Sequence, residues 1–389
     1  MKTGREQTKK NVNSPGHKLL FVITGLASGG AEMMLYKLLA HMDRSVYEPF
    51  VLSLTPGGIL SEKIRALDIP VLSLNMNSGV SFSGAIGLIK ACRKIQPDVI
   101  QGWMVHGNAA SALAGFVCRK KVLWGVRHSN LPAGTENRMT MWLDGLLALI
   151  SPLPKKIIYN SEAGRIYHES IGYRSNKSKM IPNGFDTDVF KPSTADRVRI
   201  RQELRTPEKA LLIGMIGRFH PMKDHDTFLQ AAAMLIEKRA DVRFILAGRD
   251  CDRHNVLLYN ALLKQCLIDN FSLLGERKDI ANITAALDIA TSSSFSSEGF
   301  SNSIGEAMSC GVPCIVTDVG DSQEIVGDTG IVVPARDPAA LMRGWLALME
   351  MGETERNRLG YRARERIISR YSIQYIVKKY EEVYQEACV

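Results

Sequence analysis

The sequence predicts an α/β protein built of two doubly wound domains that face a common cleft, and three observations carry that prediction. Apolar, strand-like runs alternate with segments of helical period along most of the chain. The alternation breaks once, where "FKPSTADRVRIRQEL" combines a Pro-Ser-Thr interruption with a charged segment near Lys191–Asp196. A chain of 389 residues also exceeds what one ordinary core fills, so two lobes are expected.

The first alternation opens with "KLLFVIT" (Lys18–Thr24) and the helical "AEMMLYKLLAHM" (Ala31–Met42), then runs through "YEPFVLSL", "DVIQGWM", "KVLWGVR" and "KKIIYNS". Helical segments separate these runs, which implies parallel strands joined by crossover helices. A second alternation starts at "ALLIGMIG" (Ala210–Gly217) and continues through "VRFILAG", "FSLLGE", "DIATSSS", "CIVTDV" and "GIVVP". Beyond Pro334 the pattern is purely helical. Its last segment, "YSIQYIVKKYEEVYQEA", aligns Ile373, Ile376, Val377, Tyr380, Val383 and Tyr384 in one apolar stripe that needs a surface to cover. The chain therefore divides into a polar, basic arm (1–17), a first domain (18–192) and a second domain (193–371). A terminal helix (372–389) is expected to return to the first domain. No fixed-period repeat is present, which excludes a solenoid.

Composition narrows the class. A hydrophobic content of 45% with 23% charged residues is that of a folded globular protein. The seven cysteines show no CxxC and no histidine at ligand spacing, so they read as buried reduced thiols, with no metal implied. The apolar run "MWLDGLLALISPL" (Met141–Leu153) contains Asp144 and is far shorter than the roughly 20 residues a membrane span requires, so a cytoplasmic location is expected. The net charge of +9 suits nucleic acid, an anionic membrane surface or phosphorylated ligands. Basic residues are dispersed without aromatic interleaving, which places nucleic acid last among the three.

Two facing doubly wound domains bring the carboxyl ends of both sheets, and the loops after them, to one cleft, where chemistry is expected. In "TGLASGGAE" (Thr24–Glu32), Gly29 and Gly30 precede a helix and allow backbone N–H groups to approach a phosphate. The spacing matches neither a GxGxxG fingerprint nor a Walker loop. In "GRFHPMKDHDTF", Arg218 and Lys223 supply paired cations suited to a diphosphate. In "SSEGFSNSIGEAMSCGVPCIV" (Ser296–Val316), Ser301 or Asn302 is a fitting N-cap for a helix that ends near Gly311 and Pro313. Glu298 then falls in the turn, with Gly299 and Phe300 beside it, and Glu306 one turn inside the helix. Two carboxylates flanking a phosphate cradle suit a ligand with hydroxyl groups on both sides of a diphosphate, the layout of a sugar nucleotide.

At this point "EGFSNSIGEAMSCGVP" resembles the signature of the retaining GT-B glycosyltransferases of family four: a glutamate, seven residues, a second glutamate, then EA-M-x-x-G-x-P. The segments "TGLASGGAE", "VRHSN", "IPNGFDTDVF" and "GRFHPMKD" agree with that family in order, so the resemblance spans nearly the whole chain. It implies the GT-B fold and transfer of a sugar from a UDP-sugar or GDP-sugar to a hydroxyl, with retained configuration and without a metal ion. It assigns Glu298 to the donor sugar's hydroxyls, Glu306 to the ribose, Arg218 and Lys223 to the diphosphate, and Gly29 and Gly30 to the phosphate-side loop. His106 in "WMVHGNAAS" matches the histidine many relatives place near the reacting carbon, with His128 in "VRHSN" as a rival. Asn130 and Asn183 are candidates on the acceptor side. The chain departs from the commoner GR-x4-K-G form in having Asp224 after Lys223.

The implied acceptor is a lipid-linked saccharide in bacterial surface-polysaccharide assembly. The basic clusters of "GLIKACRKIQ" (Gly87–Gln96) and "CRKK" (Cys118–Lys121) and the N-terminal arm would then touch an anionic membrane. A sugar-nucleotide epimerase of the same two-lobed fold and a glycosyltransferase for a small soluble acceptor are the alternatives.

Overall fold

The computed structural model of the chain describes residues 16–27, 29–76, 82–129, 138–296 and 299–389. Thirteen strands form two parallel sheets among these residues. The first sheet contains β1 (His17–Ile23), β2 (Tyr47–Ser53), β3 (Val71–Ser73), β4 (Val99–Trp103), β5 (Lys121–Val126), β6 (Lys156–Tyr159) and β7 (Ser178–Met180). The second contains β8 (Leu211–Ile216), β9 (Val242–Ala247), β10 (Phe271–Leu273), β11 (Ile289–Ser292), β12 (Cys314–Thr317) and β13 (Gly330–Val333). All eleven strands expected from the apolar runs are present. The two added by the structure, β3 and β7, are three-residue strands at opposite edges of the first sheet.

Spatial order is β3-β2-β1-β4-β5-β6-β7 in one sheet and β10-β9-β8-β11-β12-β13 in the other. Order therefore reverses between β1 and β4, and again between β8 and β11. Crevices open at such switch points, beyond the carboxyl ends of the strands. The glycine loop follows β1, His106 follows β4, the Arg218–Lys223 loop follows β8, and the glutamate-bearing segment follows β11. Four of the candidate segments thus flank the two switch points.

Strands buried on both faces read as continuous apolar runs because helices cover each side. Leu19 to Ile23 of β1 and Phe244 to Ala247 of β9 are all fully or almost fully buried. The helix Ile373–Cys388 covers the first lobe, and all six residues of its stripe are buried against Phe21, Tyr47, Val99 and Trp103 in one core. Tyr47 Oη donates to the Glu381 carbonyl at 2.9 Å on the same face.

All seven cysteines are free thiols. Their expected burial holds for Cys92, Cys251, Cys310 and Cys314, whereas Cys266 is exposed and Cys118 and Cys388 are partly so. Cys266 closes the turn after the helix Val256–Lys264 with a left-handed φ of 55°, a position set by the backbone rather than by core packing.

Candidate active site

Each loop at the cleft is shaped by local chemistry. After β8, Pro221–Lys223 forms a short 3-10 turn and Asp224 takes the left-handed conformation (φ 52°, ψ 55°) before the helix His225–Ile236. That conformation favours glycine, and here Asp224 is held in it by capping: its carboxylate accepts from the Thr227 amide at 3.2 Å and the Thr227 hydroxyl at 2.7 Å. The departure from the family pattern therefore preserves the turn that presents Arg218 and Lys223. Ser293, just past β11, donates to the carbonyls of Lys223 (2.9 Å) and Asp224 (3.1 Å) and fastens this loop to the neighbouring strand.

The expected helix after β11 runs from Asn302 to Ser309, with Ser301 at the N-cap position and Gly311 left-handed beyond its end (φ 72°). The expected capping by Ser301 is corrected in one respect. Its side chain makes no cap bond, and its buried Oγ has no hydrogen-bond partner among the described residues. Asn302 is used differently again. Its Oδ1 accepts from Asn183 Nδ2 at 2.9 Å, so the start of this helix is tied to the segment that links the lobes.

A cavity of about 280 Å³ lies between the two lobes, lined by Gly30, Arg127, Asn183, Arg218, Lys223 and Asn302, with His220, Gly299 and Phe300 also on its wall. Gly30 allows the lobes to approach closely, since a Cβ there would lie 2.7 Å from Asn302 Nδ2 and displace that side chain. Gly29 is the N-cap residue of the helix Gly30–His41. Phe300 is 7% exposed and packs on Phe185 and Tyr371, so it shapes the wall through the core behind it. Burial, reinforced by Arg218 and Lys223, pushes the His220 pKa below the usual imidazole range.

Glu306 lies one turn behind the cavity wall. Its Oε1 is 3.5 Å from Lys37 Nζ on the opposite lobe, and burial raises its pKa against the attraction of Lys37. His106 is half-buried in the helix Met104–Cys118, is not on the cavity wall, and has its pKa lowered by burial. His128 turns away from the cavity towards Asp144, with Nε2 3.5 Å from Oδ2. Glu298 and Asn130 lie outside the described residues.

The sequence reading missed Arg127, the cation that the first lobe contributes. Its guanidinium lies 3.9 Å from the centre of the Trp103 ring, bonds to Asn183 Oδ1 at 3.0 Å, and also donates to Tyr380 Oη on the terminal helix. Asn160, at the end of β6, and His220 were missed as well. The available signal was positional: Arg127 and Asn160 both directly follow a strand of the first sheet, at its carboxyl edge.

Two parallel lobes, a cleft at both switch points and a cationic, amide-lined cavity define a two-domain GT-B glycosyltransferase. The family model "Glycosyltransferase Family 4" matches residues 28–189, and "Glycosyl transferases group 1" matches residues 210–351. The chain belongs to the group 1 glycosyltransferases of family four. It is 25% identical over 338 residues to the UDP-Gal:alpha-D-GlcNAc-diphosphoundecaprenol alpha-1,3-galactosyltransferase of Escherichia coli, covering 85% of this chain and 86% of that one. It is 30% identical over 185 residues to the lipopolysaccharide core biosynthesis mannosyltransferase LpsB of Rhizobium meliloti (strain 1021), covering 46% and 52% of the two chains. The crystal structure of Anabaena Alr3699/HepE in complex with UDP has the same fold, with a TM-score of 0.83 at 23% identity over 95% of this chain and all of that one.

Proposed function

We propose that this glycosyltransferase moves a hexose from a UDP-sugar or GDP-sugar to a hydroxyl of a lipid-linked saccharide, with the anomeric configuration retained, in bacterial surface-polysaccharide synthesis. The observation that carries the reading is the cavity wall itself, where Arg218 and Lys223 face Arg127 and the start of the helix Asn302–Ser309. Three cations and a helix N-terminus around one cavity fit a diphosphate better than a neutral sugar. The names of the Escherichia coli and Rhizobium relatives, and the UDP in the Anabaena structure, support the donor and acceptor classes.

In the proposed reaction the acceptor oxygen bonds to the anomeric carbon as the bond from that carbon to the diphosphate oxygen breaks. The bonding pair leaves with the diphosphate, which also takes the hydroxyl proton on the same face of the sugar. Arg218, Lys223 and the helix N-terminus stabilise the developing charge, which makes a metal ion unnecessary for this step. Glu298 would hold the sugar's hydroxyls, Glu306 the ribose, and the half-buried His106 would lie on the side of the reacting carbon. On this reading residues 193–371 hold the donor, and residues 18–192, with the terminal helix 372–389, receive the acceptor.

The acceptor class also draws support from the surface of the first lobe. Among the described residues no helix is long and apolar enough to cross a membrane. Phe116, Trp142, Leu149 and Leu153 are nonetheless 79%, 65%, 79% and 62% exposed. A groove of about 300 Å³ beside Phe116 and Leu153 is also lined by Arg119, Lys120, Lys121 and Lys155. Apolar anchors rimmed by cations fit an anionic membrane surface, where each basic residue contributes roughly 1 kcal/mol. A screen of nucleotide sugars that follows nucleotide release with a diphosphate-linked lipid acceptor, followed by NMR of the new linkage, tests the reading. Inverted configuration, or nucleotide-sugar conversion without transfer to the acceptor, would refute it.

A further inference from the structure

Behind the wall that carries Arg127, side chains from three elements of the first lobe converge. His128 follows β5, Asp144 lies in the middle of the helix Arg138–Ile150, and His168 lies in the last turn of the helix Glu162–Ser170. His128 Nε2 is 3.5 Å, and His168 Nε2 3.4 Å, from the same oxygen, Asp144 Oδ2. One potential ligand atom from each residue lies within 4.8 Å of the other two. His168 and Asp144 are buried, while the His128 side chain keeps 23% exposure.

Counting protons shows what this arrangement lacks. His168 Nδ1 is 2.7 Å from the Gly164 carbonyl, which can only accept, so Nδ1 carries the hydrogen. In the neutral ring Nε2 is then a lone pair aimed at a carboxylate oxygen 3.4 Å away, and among the described residues it makes no well-formed hydrogen bond. Two acceptors facing each other in a buried site repel, and a cation between them removes the conflict. The separations of 3.4 and 3.5 Å are long for N–H···O bonds. Both match the edge of a tetrahedron of ligands about 2.0–2.1 Å from a metal, roughly 3.3–3.4 Å, while the wider separation between the two imidazoles, up to 4.8 Å, requires the partly exposed His128 ring to swing inward as an ion binds. The outer partners follow the pattern that orients metal ligands: an imidazole N–H held by a backbone carbonyl, and a carboxylate whose other oxygen accepts from Tyr173 Oη at 2.5 Å.

We propose that His128, Asp144 and His168 bind one divalent transition-metal ion of the zinc class, with the fourth position open on the His128 side. Two imidazoles and one carboxylate form an N/O set suited to such an ion. None of the three lines the proposed donor cavity, so the ion takes no part in sugar transfer. It would clamp the end of β5 to the two helices that follow and so hold Arg127, the residue before His128, against the cavity.

The full-length protein, stripped with EDTA and desalted, is titrated with Co²⁺ and, separately, loaded with Zn²⁺ and assayed by elemental analysis. A visible ligand-field band saturating near about one equivalent is expected, bleached by Zn²⁺, together with a rise in Tm on adding Zn²⁺. Asp144→Asn, and His128→Ala at the partly exposed position, should each lose the band and the Tm rise while keeping the wild-type circular dichroism spectrum. Wild-type protein that takes up neither ion, or variants that bind as much as wild type, would overturn the proposal.

Discussion

Replacing Glu306 with alanine probes the donor-side helix most directly. The carboxylate is 18% exposed and Lys37 is 13% exposed, with 3.5 Å between Oε1 and Nζ. At an effective dielectric of about 20, a pair at that distance attracts by about 5 kcal/mol. Burial opposes this, and the raised pKa of Glu306 shows that desolvation outweighs Lys37, so the pair alone is a poor net stabiliser of the fold. The value of Glu306 therefore lies in what else its carboxylate accepts. Removing an acceptor from beneath a bound ribose hydroxyl costs about 1–3 kcal/mol, or about 5- to 150-fold in Kd. Calorimetric titration of UDP and GDP into wild type and Glu306→Ala reads that loss. Glu306→Gln retains one acceptor oxygen and should lose less. Lys37→Met removes the ion pair and keeps the acceptor, so nucleotide affinity should stay within about threefold of wild type. An unchanged Kd for Glu306→Ala, in protein with an unchanged melting curve, would refute the ribose role.

Neutralising Arg218 or Lys223 should reduce turnover by about 10²-fold or more with the fold intact, the scale of losing a preorganised charge contact; activity that ignored both substitutions and required Mg²⁺ would sink the metal-free chemistry. Trp142→Glu combined with Leu149→Glu should abolish sedimentation with anionic vesicles at low salt while leaving nucleotide binding untouched, whereas equal partitioning to neutral vesicles would remove the charge-based docking. His225 is buried at the first turn of its helix, and burial, with a smaller effect from Lys223, pushes its pKa to about 4. The unfolded chain binds this proton below about pH 6.5 and the folded chain only near the lowered value, so stability is present at neutral pH and lost as pH falls through that window. The difference amounts to about 3 kcal/mol, and denaturant melts of wild type and His225→Gln between pH 7 and 4 should show a shallower decline in the variant.

The architecture was legible because period and burial agree: "KLLFVIT" and "VRFILAG" are apolar throughout, as strands covered on both faces must be. Val71–Ser73 and Ser178–Met180 were not, because these short edge strands bury none of their residues fully, whereas the equally short edge strand Phe271–Leu273 anchors Phe271 in the core. At the cleft, the cations of the Arg218–Lys223 loop and the helix Asn302–Ser309 could be read locally, since a turn and a cap place them. Arg127 could not, because its position depends on Trp103, Asn183 and Tyr380, which approach from three distant parts of the chain. His128 illustrates the same limit in reverse. Beside Arg127 in "VRHSN" it reads as a cleft residue, yet residues later in the chain, Asp144 and His168, draw its ring to the other side.

The two crossings of the chain between lobes lie side by side, and this joins cleft geometry to donor binding. Phe185 N donates to the Tyr371 carbonyl and Ile373 N to the Phe185 carbonyl, both at 2.8 Å, so the linker and the start of the terminal helix form one short parallel bridge. The Phe185 ring fills the space over Gly305, where a Cβ would lie 2.0 Å from Cζ, and stacks on Phe300 at the cavity wall. A change in the angle between the lobes would press on Gly305 and Phe300, because a close-packed ring has no void to move into. Among the described residues, polar contacts that cross the cleft further out include Asn183 with Asn302, Lys37 with Glu306, and Asp321 with the amides of Glu162 and Ala163. The first two use a side chain of the helix Asn302–Ser309. A nucleotide held as proposed would therefore engage the same helix that supplies two of these cross-lobe contacts.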